Sequence, residues 1–537
     1  ASNKLHINAL YESVKTFSIN LITNHHKPHI TTTNLKPLIT TMKGNDLTAA
    51  AANQTAAPFL KKEPKDEFFW LSQINKASVI TNRERGILSE ETAKKIAKAI
   101  CQVIENGCKP GALRPSRVIK YEPLLIEAAG LDATMLHVGR SSQDMHATYY
   151  STIMRDNVLA LARKLVGSMR ILNTLAKDHT ETIVPNYTNG VAAQPNSYAH
   201  YLQGFLAGFK RDSKRLEQFY ERLNLCPMGT TVLNGTGWPL NREKIAEYLG
   251  FDGPVEDAYD AAQIKPVDEP TELSSILTSI ALHVGTFVQD VSVQYAQPQP
   301  WILLQEGGDN TYVSSAMPQK RNPGLMFGVR EAASGVLGEA QAAVFRAHNI
   351  IPGMIDPKRV PANSSMVSST IKMLTQFDKM LNALKISPER ALKELNSDWT
   401  ASQEIADVLM REYKLPFRVG HHVASQIVSY AKANGYNPTN FPYAQVKEIY
   451  AHVIKTEYPS ASEVGPMNEE EFKTTLNPKT IIENRRTSGG PQKSEINKAI
   501  ARSDQAIAEH EAWAVSQQEQ IVHALELLDK DFRQLLG

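Results

Sequence analysis

Five stretches of apolar residues recur at helical spacing over lengths that few globular helices reach. Residues 149–179 repeat Ile153, Val158, Leu161, Leu165, Met169, Leu172 and Leu175. Residues 195–223 repeat Tyr198, Leu202, Phe205, Phe209, Leu216 and Phe219. Residues 272–295 carry Leu273, Ile276, Leu277, Ile280, Val284, Phe287, Val288 and Val291. Residues 323–348 are rich in Ala and Val, and 363–384 are again amphipathic. Spacing of three and four places these residues on one stripe of a helix. Each stretch has about 22–31 residues, against a usual 11–12, and spans roughly 33–46 Å. Stripes this long are buried by helices lying side by side. The chain is therefore expected to be all-α, with a central long-helix bundle at 148–386, and its wide apolar faces suggest further burial against other subunits. Strand signals are weak.

At 537 residues the chain exceeds what one core usually holds. Ahead of the bundle, 67–147 reads as a small helical domain. Ser89 is placed to cap a helix that stops at Asn106-Gly107, and Gly130 ends another. Beyond it, 387–537 reads as a C-terminal helical domain of shorter elements around Pro416-Phe417-Arg418, closed by a largely polar helix from about Ser494. Residues 1–66 differ from the rest. They are rich in Asn, Thr, Ser and His, with Glu12 the only acid before Asp46, and are expected to be a disordered extension. A transit peptide is the alternative, although such segments are usually Arg-rich and the first arginine here is Arg83.

The charge balance excludes some functions. A net charge of +2 provides no field for nucleic acid or a membrane surface, so any anion site must be local. No run of about 18 apolar residues is found, and no transmembrane helix is expected. Cys101, Cys108 and Cys226 are too few and too irregular for a disulfide framework, which fits a reducing, cytoplasmic compartment, or an organelle if a transit peptide is present. Cys101 and Cys108, seven apart, are expected to share a buried helix face.

Three polar segments flank the long helices. They are Gly139-Arg140-Ser141-Ser142-Gln143-Asp144, then Asn186-Tyr187-Thr188-Asn189 running on to Gln194-Pro195, and Ser314-Ser315-Ala316-Met317-Pro318-Gln319-Lys320-Arg321-Asn322-Pro323 within 307–323. Each supplies hydroxyls, amides and main-chain N–H groups near a helix entry, where the dipole favours anions. Taken together they point to a site for an anionic substrate. No Gly-rich phosphate loop, zinc spacing or internal repeat is found.

The third segment resembles the signature loop of the aspartase/fumarase superfamily, Gly-Ser-Ser-x-Met-Pro-x-Lys-x-Asn-Pro. Within that superfamily the chain most resembles the argininosuccinate lyase family. His137-Val138-Gly139-Arg140-Ser141 with Asp144 is similar to that family's first motif, and Tyr187-Thr188 with Gln194-Pro195 to its second. Pro416-Phe417-Arg418 with His421-His422 matches its C-terminal motif, and Arg486 with Gly489-Gly490 its closing segment. The resemblance runs from about Phe68 to Ser503. It implies three helical domains whose long helices form a twenty-helix core in a homotetramer, with active sites shared between subunits. It implies β-elimination from a succinyl compound such as an N-substituted aspartate, releasing fumarate. By position, Ser314 would be the base, with Lys320 and Asn322 stabilising an aci-carboxylate carbanion. Ser141 and Thr188 would hold carboxylates, with Ser142, Gln143, Asn189, Gln194, Ser315, Met317 and Lys358 around the substrate. The resemblance implies no metal or organic cofactor.

Four departures bear on the substrate. Asn189 stands where the family has a histidine, and Phe327 where it has that histidine's glutamate, so both members of a charge pair are missing. Ser142-Gln143 replaces Arg-Asn. Ile351 to Arg359 replaces the run that holds the arginine end of argininosuccinate, and the family tyrosine there has no counterpart. Lys358 and Arg359 remain in that run, as carboxylate ligands or as a solvated charge pair. Val313 replaces the signature glycine, which is expected to alter loop closure. His146 and His200 are weak replacements for the missing acid. A substrate other than argininosuccinate is therefore expected. The alternatives are a catalytically silent structural copy and a superfamily member acting on another dicarboxylate.

Overall fold

The structure, a computed structural model, describes residues 64–537. All but the last three residues of the extension expected at 1–66 lie outside it.

The five long stretches are helices, several longer than their periodicity suggests. Three helices lead in: α1 (Glu67–Glu84), α2 (Glu90–Gly107) and α3 (Val118–Ala129). Ser89 caps α2 by accepting from the Thr92 N–H. The bundle consists of α4 (Ser142–Asp178), α5 (Tyr198–Leu223), α7 (Lys265–Tyr295), α8 (Gly324–Ala347) and α9 (Val360–Ala383), with the short α6 (Arg242–Tyr248) between α5 and α7. Each long helix packs on the next, and α9 returns to α4, so the five close into a ring. Phe209 of α5, Phe287 of α7 and Phe377 of α9 meet inside it, with ring centroids 5.4–6.0 Å apart for the two pairs in contact.

Two findings modify the sequence reading. First, the helical segment ending in α7, Asp260–Tyr295, is long and apolar enough to cross a membrane by length and composition, although charged and polar residues interrupt its apolar runs. It contributes Leu277, Ile280, Val284 and Phe287 to the core of the bundle and includes a buried Lys265–Glu269 ion pair. Second, Cys101 and Cys108 share no buried face. Cys101 is half-buried, while Cys108 is exposed just past the end of α2.

After α9 come α10 (Pro388–Ser397), α11 (Gln403–Arg411), α12 (Phe417–Asn434), α13 (Tyr443–Glu457), α14 (Glu469–Thr475), α15 (Pro478–Glu483) and α16 (Lys493–Leu536). Residues from Trp399 to Ile481 form a second, smaller apolar core. Helix α16 does not join it. Its Ile496, Ile500, Ile507, Ile521, Leu525, Leu528 and Phe532 lie in the main core, where α16 packs against α1, α2, α4 and α5.

The strands are short and paired two by two. An antiparallel hairpin joins β1 (Ile183–Thr188) to β2 (Val191–Ser197), with Thr188 opposite Val191 and a bulge at Asn186/Tyr187. Its tip, Asn189-Gly190, has φ of 54° and 75°. Both residues need the left-handed region in such a two-residue turn, and Asn and Gly tolerate it best. A second hairpin pairs Tyr312 with Asn322 and Val313 with Arg321 at the base of the signature loop.

Candidate active site

The start of α4 is built by Ser141 and Asp144. The Ser141 Oγ accepts from the Gln143 N–H (3.1 Å), and the Ser141 N–H donates to Asp144 Oδ1 (2.8 Å), a reciprocal cap. Asp144 is fully buried and also accepts from the N–H groups of Met145, Gly229 and Thr231, at 3.1, 3.1 and 3.2 Å. One carboxylate thus ties the loop that follows Cys226 to the mouth of α4. Burial pushes its pKa up to about 7, against the pull of its main-chain donors and Arg140.

Gln143, one residue into the helix, reaches across to the segment between α8 and α9. Its Nε2 donates to the Gly353 carbonyl (3.1 Å), and its Oε1 accepts from Lys358 Nζ (2.9 Å). Lys358 Nζ also donates to the Ala262 carbonyl (3.2 Å). Lys358 is only 2% exposed, and burial lowers its pKa to about 8. The solvated Lys358–Arg359 pair is therefore not what forms. Lys358 faces inward, while Arg359 stays outside, 3.8 Å from Asp356.

His146 packs against the same loop. Its ring stacks on Tyr149 at 4.7 Å, and its Nε2 pairs with the Lys358 carbonyl (3.1 Å), an arrangement that requires the Nε2–H tautomer. Burial, then the Lys358 charge, lowers its pKa to about 4. The folded protein therefore resists a proton that the unfolded chain accepts near pH 6.5. The sign follows: stability is lost as pH falls from about 6.5 to about 4. His146→Phe keeps the stack and removes the titration, so its denaturant midpoint should fall less than that of the wild type over this window. Parallel pH dependences in the two proteins would contradict this.

The second segment lies on the β1–β2 hairpin. Thr188 and Asn189 are exposed at its tip. Gln194, on β2, donates from Nε2 to Gln403 Oε1 (3.0 Å). Just behind the tip, Tyr187 donates to Glu394 and accepts from Trp301 Nε1 (3.0 Å), which anchors the hairpin on α10. Asn189, which stands at the family histidine's position, is placed here by backbone conformation. His200 pairs with the Gly489 carbonyl through Nε2 (2.8 Å).

The third segment is a loop folded on itself. The Ser314 Oγ accepts from the N–H groups of Ala316 (3.3 Å) and Met317 (3.1 Å). The Ser314 N–H donates to the Lys320 carbonyl (3.3 Å), and the Lys320 N–H to the Met317 carbonyl (3.1 Å). Two donors on one hydroxyl oxygen favour its deprotonated form. Asn322 Nδ2 donates to the Tyr312 carbonyl (3.3 Å), and Arg321 reaches Glu306 (3.1 Å). The Lys320 ammonium and Ser315 point to solvent, and Met317 is exposed. Val313 occupies an extended strand position, where a β-branched residue is at ease and a glycine is not required.

Within one chain, then, Gln143 and Lys358 come together, as do Ser314, Lys320 and Asn322. Among the described residues no hydrogen bond links the loop to Ser141 or to Thr188. The sequence reading placed Asp144 in the first polar segment without giving it a role, and did not single out Gln263. Asp144 was detectable as the acid three residues after a capping serine. Gln263, whose Nε2 donates to the Val232 carbonyl (2.9 Å), carried no signal.

Comparison with known proteins decides the family. Residues 54–338 match the family model described as Lyase, and residues 399–483 that described as Argininosuccinate lyase C-terminal. The chain belongs to the argininosuccinate lyase family. An argininosuccinate lyase of Methanosarcina acetivorans is 29% identical over 465 residues, covering 85% of this chain and 90% of the relative. Another, from Anoxybacillus flavithermus, is 29% identical over 434 residues, covering 79% and 90%. Among solved structures, an EDDS lyase variant with bound fumarate superposes with a TM-score of 0.78 at 24% identity, covering 88% of this chain and 92% of that one. The last likeness carries the fold alone. As a member of the argininosuccinate lyase family, the protein is a carbon–nitrogen lyase that releases fumarate.

Proposed function

We propose that the protein splits an N-substituted aspartate by β-elimination, with Ser314 as the base. The observation that carries this reading is the Ser314 Oγ, held by two main-chain N–H groups in a loop that also bears Lys320 and Asn322. As an alkoxide, Ser314 takes the proton beside the carboxylate. The electron pair enters that carboxylate as an aci-carboxylate dianion, which Lys320 and Asn322 stabilise. The C–N bond then breaks, its electron pair leaves on nitrogen, nitrogen takes up a proton, and fumarate remains. Ser141, with the positive end of α4, and Thr188 hold the carboxylates. Ser142, Asn189, Gln194, Ser315 and Met317 border the substrate. Gln143 and Lys358, whose polar ends are bonded to each other, shape that border from behind.

Among the described residues no hydrogen bond joins the three segments within one chain, so a complete site is proposed to need several copies in a homotetramer. Helix α8 supports this, because it leaves Ser334, Gly335, Gly338 and Phe345 uncovered along one side, and a Cβ on either glycine would meet nothing within 4 Å. The division into 67–147, 148–386 and 387–537 is proposed with one change: α16 leaves the last domain for the main body, on whose core it packs.

The substrate is proposed to be other than argininosuccinate, given Asn189, Phe327 and Ile355 at altered positions. Incubation with argininosuccinate, followed by fumarate absorbance, tests this. Turnover far below the typical enzyme value of about 10 s⁻¹ is expected, beside measurable release from another N-substituted aspartate. Argininosuccinate turnover near that value would overturn the proposal.

A further inference from the structure

We infer that Tyr187 is a positioning residue of the site: clamped between Glu394 and Trp301, it sets where the Thr188 hydroxyl meets the substrate carboxylate. The inference rests on the reading of Thr188 as a carboxylate ligand and adds what holds that ligand in place.

Thr188 has little of its own to fix it. It is exposed at the end of β1, beside the Asn189-Gly190 turn. Neither its side chain nor that of Asn189 is hydrogen-bonded among the described residues. Asn189 carries no charge, so no ion pair fastens the tip. Tyr187, one residue back, faces the other way, as neighbours on a strand do. The bulge at Asn186/Tyr187 re-aims the strand at that point.

Both partners of Tyr187 belong to one braced block. Its hydroxyl donates to Glu394 on α10 and accepts from Trp301 Nε1 (3.0 Å). Trp301 precedes the strand Ile302–Leu304, which pairs with Leu384–Ile386 at the head of α10. Further bonds brace the two. The Ser387 N–H donates to the Trp301 carbonyl (2.7 Å), Arg390 to the Pro300 carbonyl (3.1 Å) and Lys393 Nζ to Gln299 Oε1 (3.0 Å).

Packing behind the hairpin does not replace these bonds. A cavity lies there, lined by Tyr187, Tyr198, Tyr201, Asp290, Gln294 and Trp301. Gln294, 2% exposed, stands beside the Tyr187 hydroxyl. Yet neither end of its amide, nor the Tyr198 hydroxyl, completes a hydrogen bond among the described residues. Where side chains leave space unfilled, directional bonds set position. Removing the Tyr187 hydroxyl therefore lets the tip shift, and a misplacement of about 1 Å costs a site up to about 100-fold.

The test is the binding of fumarate to the full-length protein, followed by ligand-observed NMR titration. Tyr187→Phe and Thr188→Val are each expected to raise the fumarate Kd about tenfold or more. The double variant is expected to bind no more weakly than Thr188→Val, because Tyr187 acts through Thr188. Glu394→Gln keeps an acceptor for the Tyr187 hydroxyl and should stay near the wild type, whereas Glu394→Leu should match Tyr187→Phe. Tyr248→Phe breaks a hydroxyl–carboxylate bond of the same kind, to Asp531, and should leave the Kd unchanged. Equal weakening by Tyr248→Phe would mark general destabilisation and overturn the inference. Additive losses in the double variant would overturn it too, as would Glu394→Gln binding as poorly as Glu394→Leu. Weakening by Thr188→Val without weakening by Tyr187→Phe would overturn it and leave the carboxylate reading intact. If Thr188→Val binds fumarate like the wild type, the carboxylate reading of Thr188 fails, and this inference with it.

Discussion

Ser314→Ala should lower the rate of fumarate release by roughly 10²–10⁴-fold, the usual worth of a positioned acid or base, and leave the melting temperature unchanged. The two halves of this expectation have separate grounds. The hydroxyl oxygen accepts from Ala316 and Met317 and donates no hydrogen bond to another group among the described residues, so its only structural work is local to the loop. The loop is solvent-exposed on one chain, and losing a hydroxyl there strands no buried donor. The chemical cost is different in kind. A serine is a weak base unless its alkoxide is stabilised, and these two N–H groups supply part of that stabilisation. A variant that melts like the wild type and releases fumarate hundreds of times more slowly would show that the oxygen acts on substrate. Loss of rate together with several degrees of melting temperature would instead indicate a folding role.

Asp144→Ala is the second large effect, and it runs the other way. It should destabilise the protein by roughly 3–5 kcal/mol, because the carboxylate is fully buried and accepts from four main-chain N–H groups. Without it, the cap of α4 and the loop at Gly229–Thr231 lose their common anchor. Thermal melting of Asp144→Ala beside Ser142→Ala checks this. Ser142 is exposed in the same turn and accepts no side-chain bond there, so its removal should cost little. If the two variants melt alike, Asp144 does not hold this region together. Where enough folded Asp144→Ala can be obtained, its activity should also fall, because Ser141 and Gln143 lose their placement.

The all-α bundle could be read from the sequence because apolar residues recur for turn after turn, a signal that tertiary packing rarely overrides. What that signal hides is where a helix begins. Helix α4 starts at Ser142, ahead of 149, because its first two turns are polar and set by the Ser141–Asp144 cap. The β1–β2 hairpin was legible in principle from Asn189-Gly190, but Asn189 drew attention as a replaced histidine, which obscured its role in the turn. Lys358 shows the opposite limit. Nothing local tells a buried lysine from a solvated one. Its burial comes from Gln143 and Ala262, far away in sequence. Helix α16 looked polar along its length, yet its isoleucines and leucines form a stripe that lies on the main core. The signature loop was legible because its chemistry sits in consecutive residues. The proposed meeting of the three segments was not, since no hydrogen bond among the described residues joins them within one copy.

Deuterium incorporation tests the central claim most directly. Wild type and Ser314→Ala are incubated in D₂O with fumarate and a primary amine, and the aspartate formed is examined by proton NMR. If Ser314 handles the proton beside the carboxylate, the wild-type product carries one deuterium at a single C3 position, and the variant forms it at least 100-fold more slowly. Undiminished formation of the same monodeuterated product by Ser314→Ala would contradict the account.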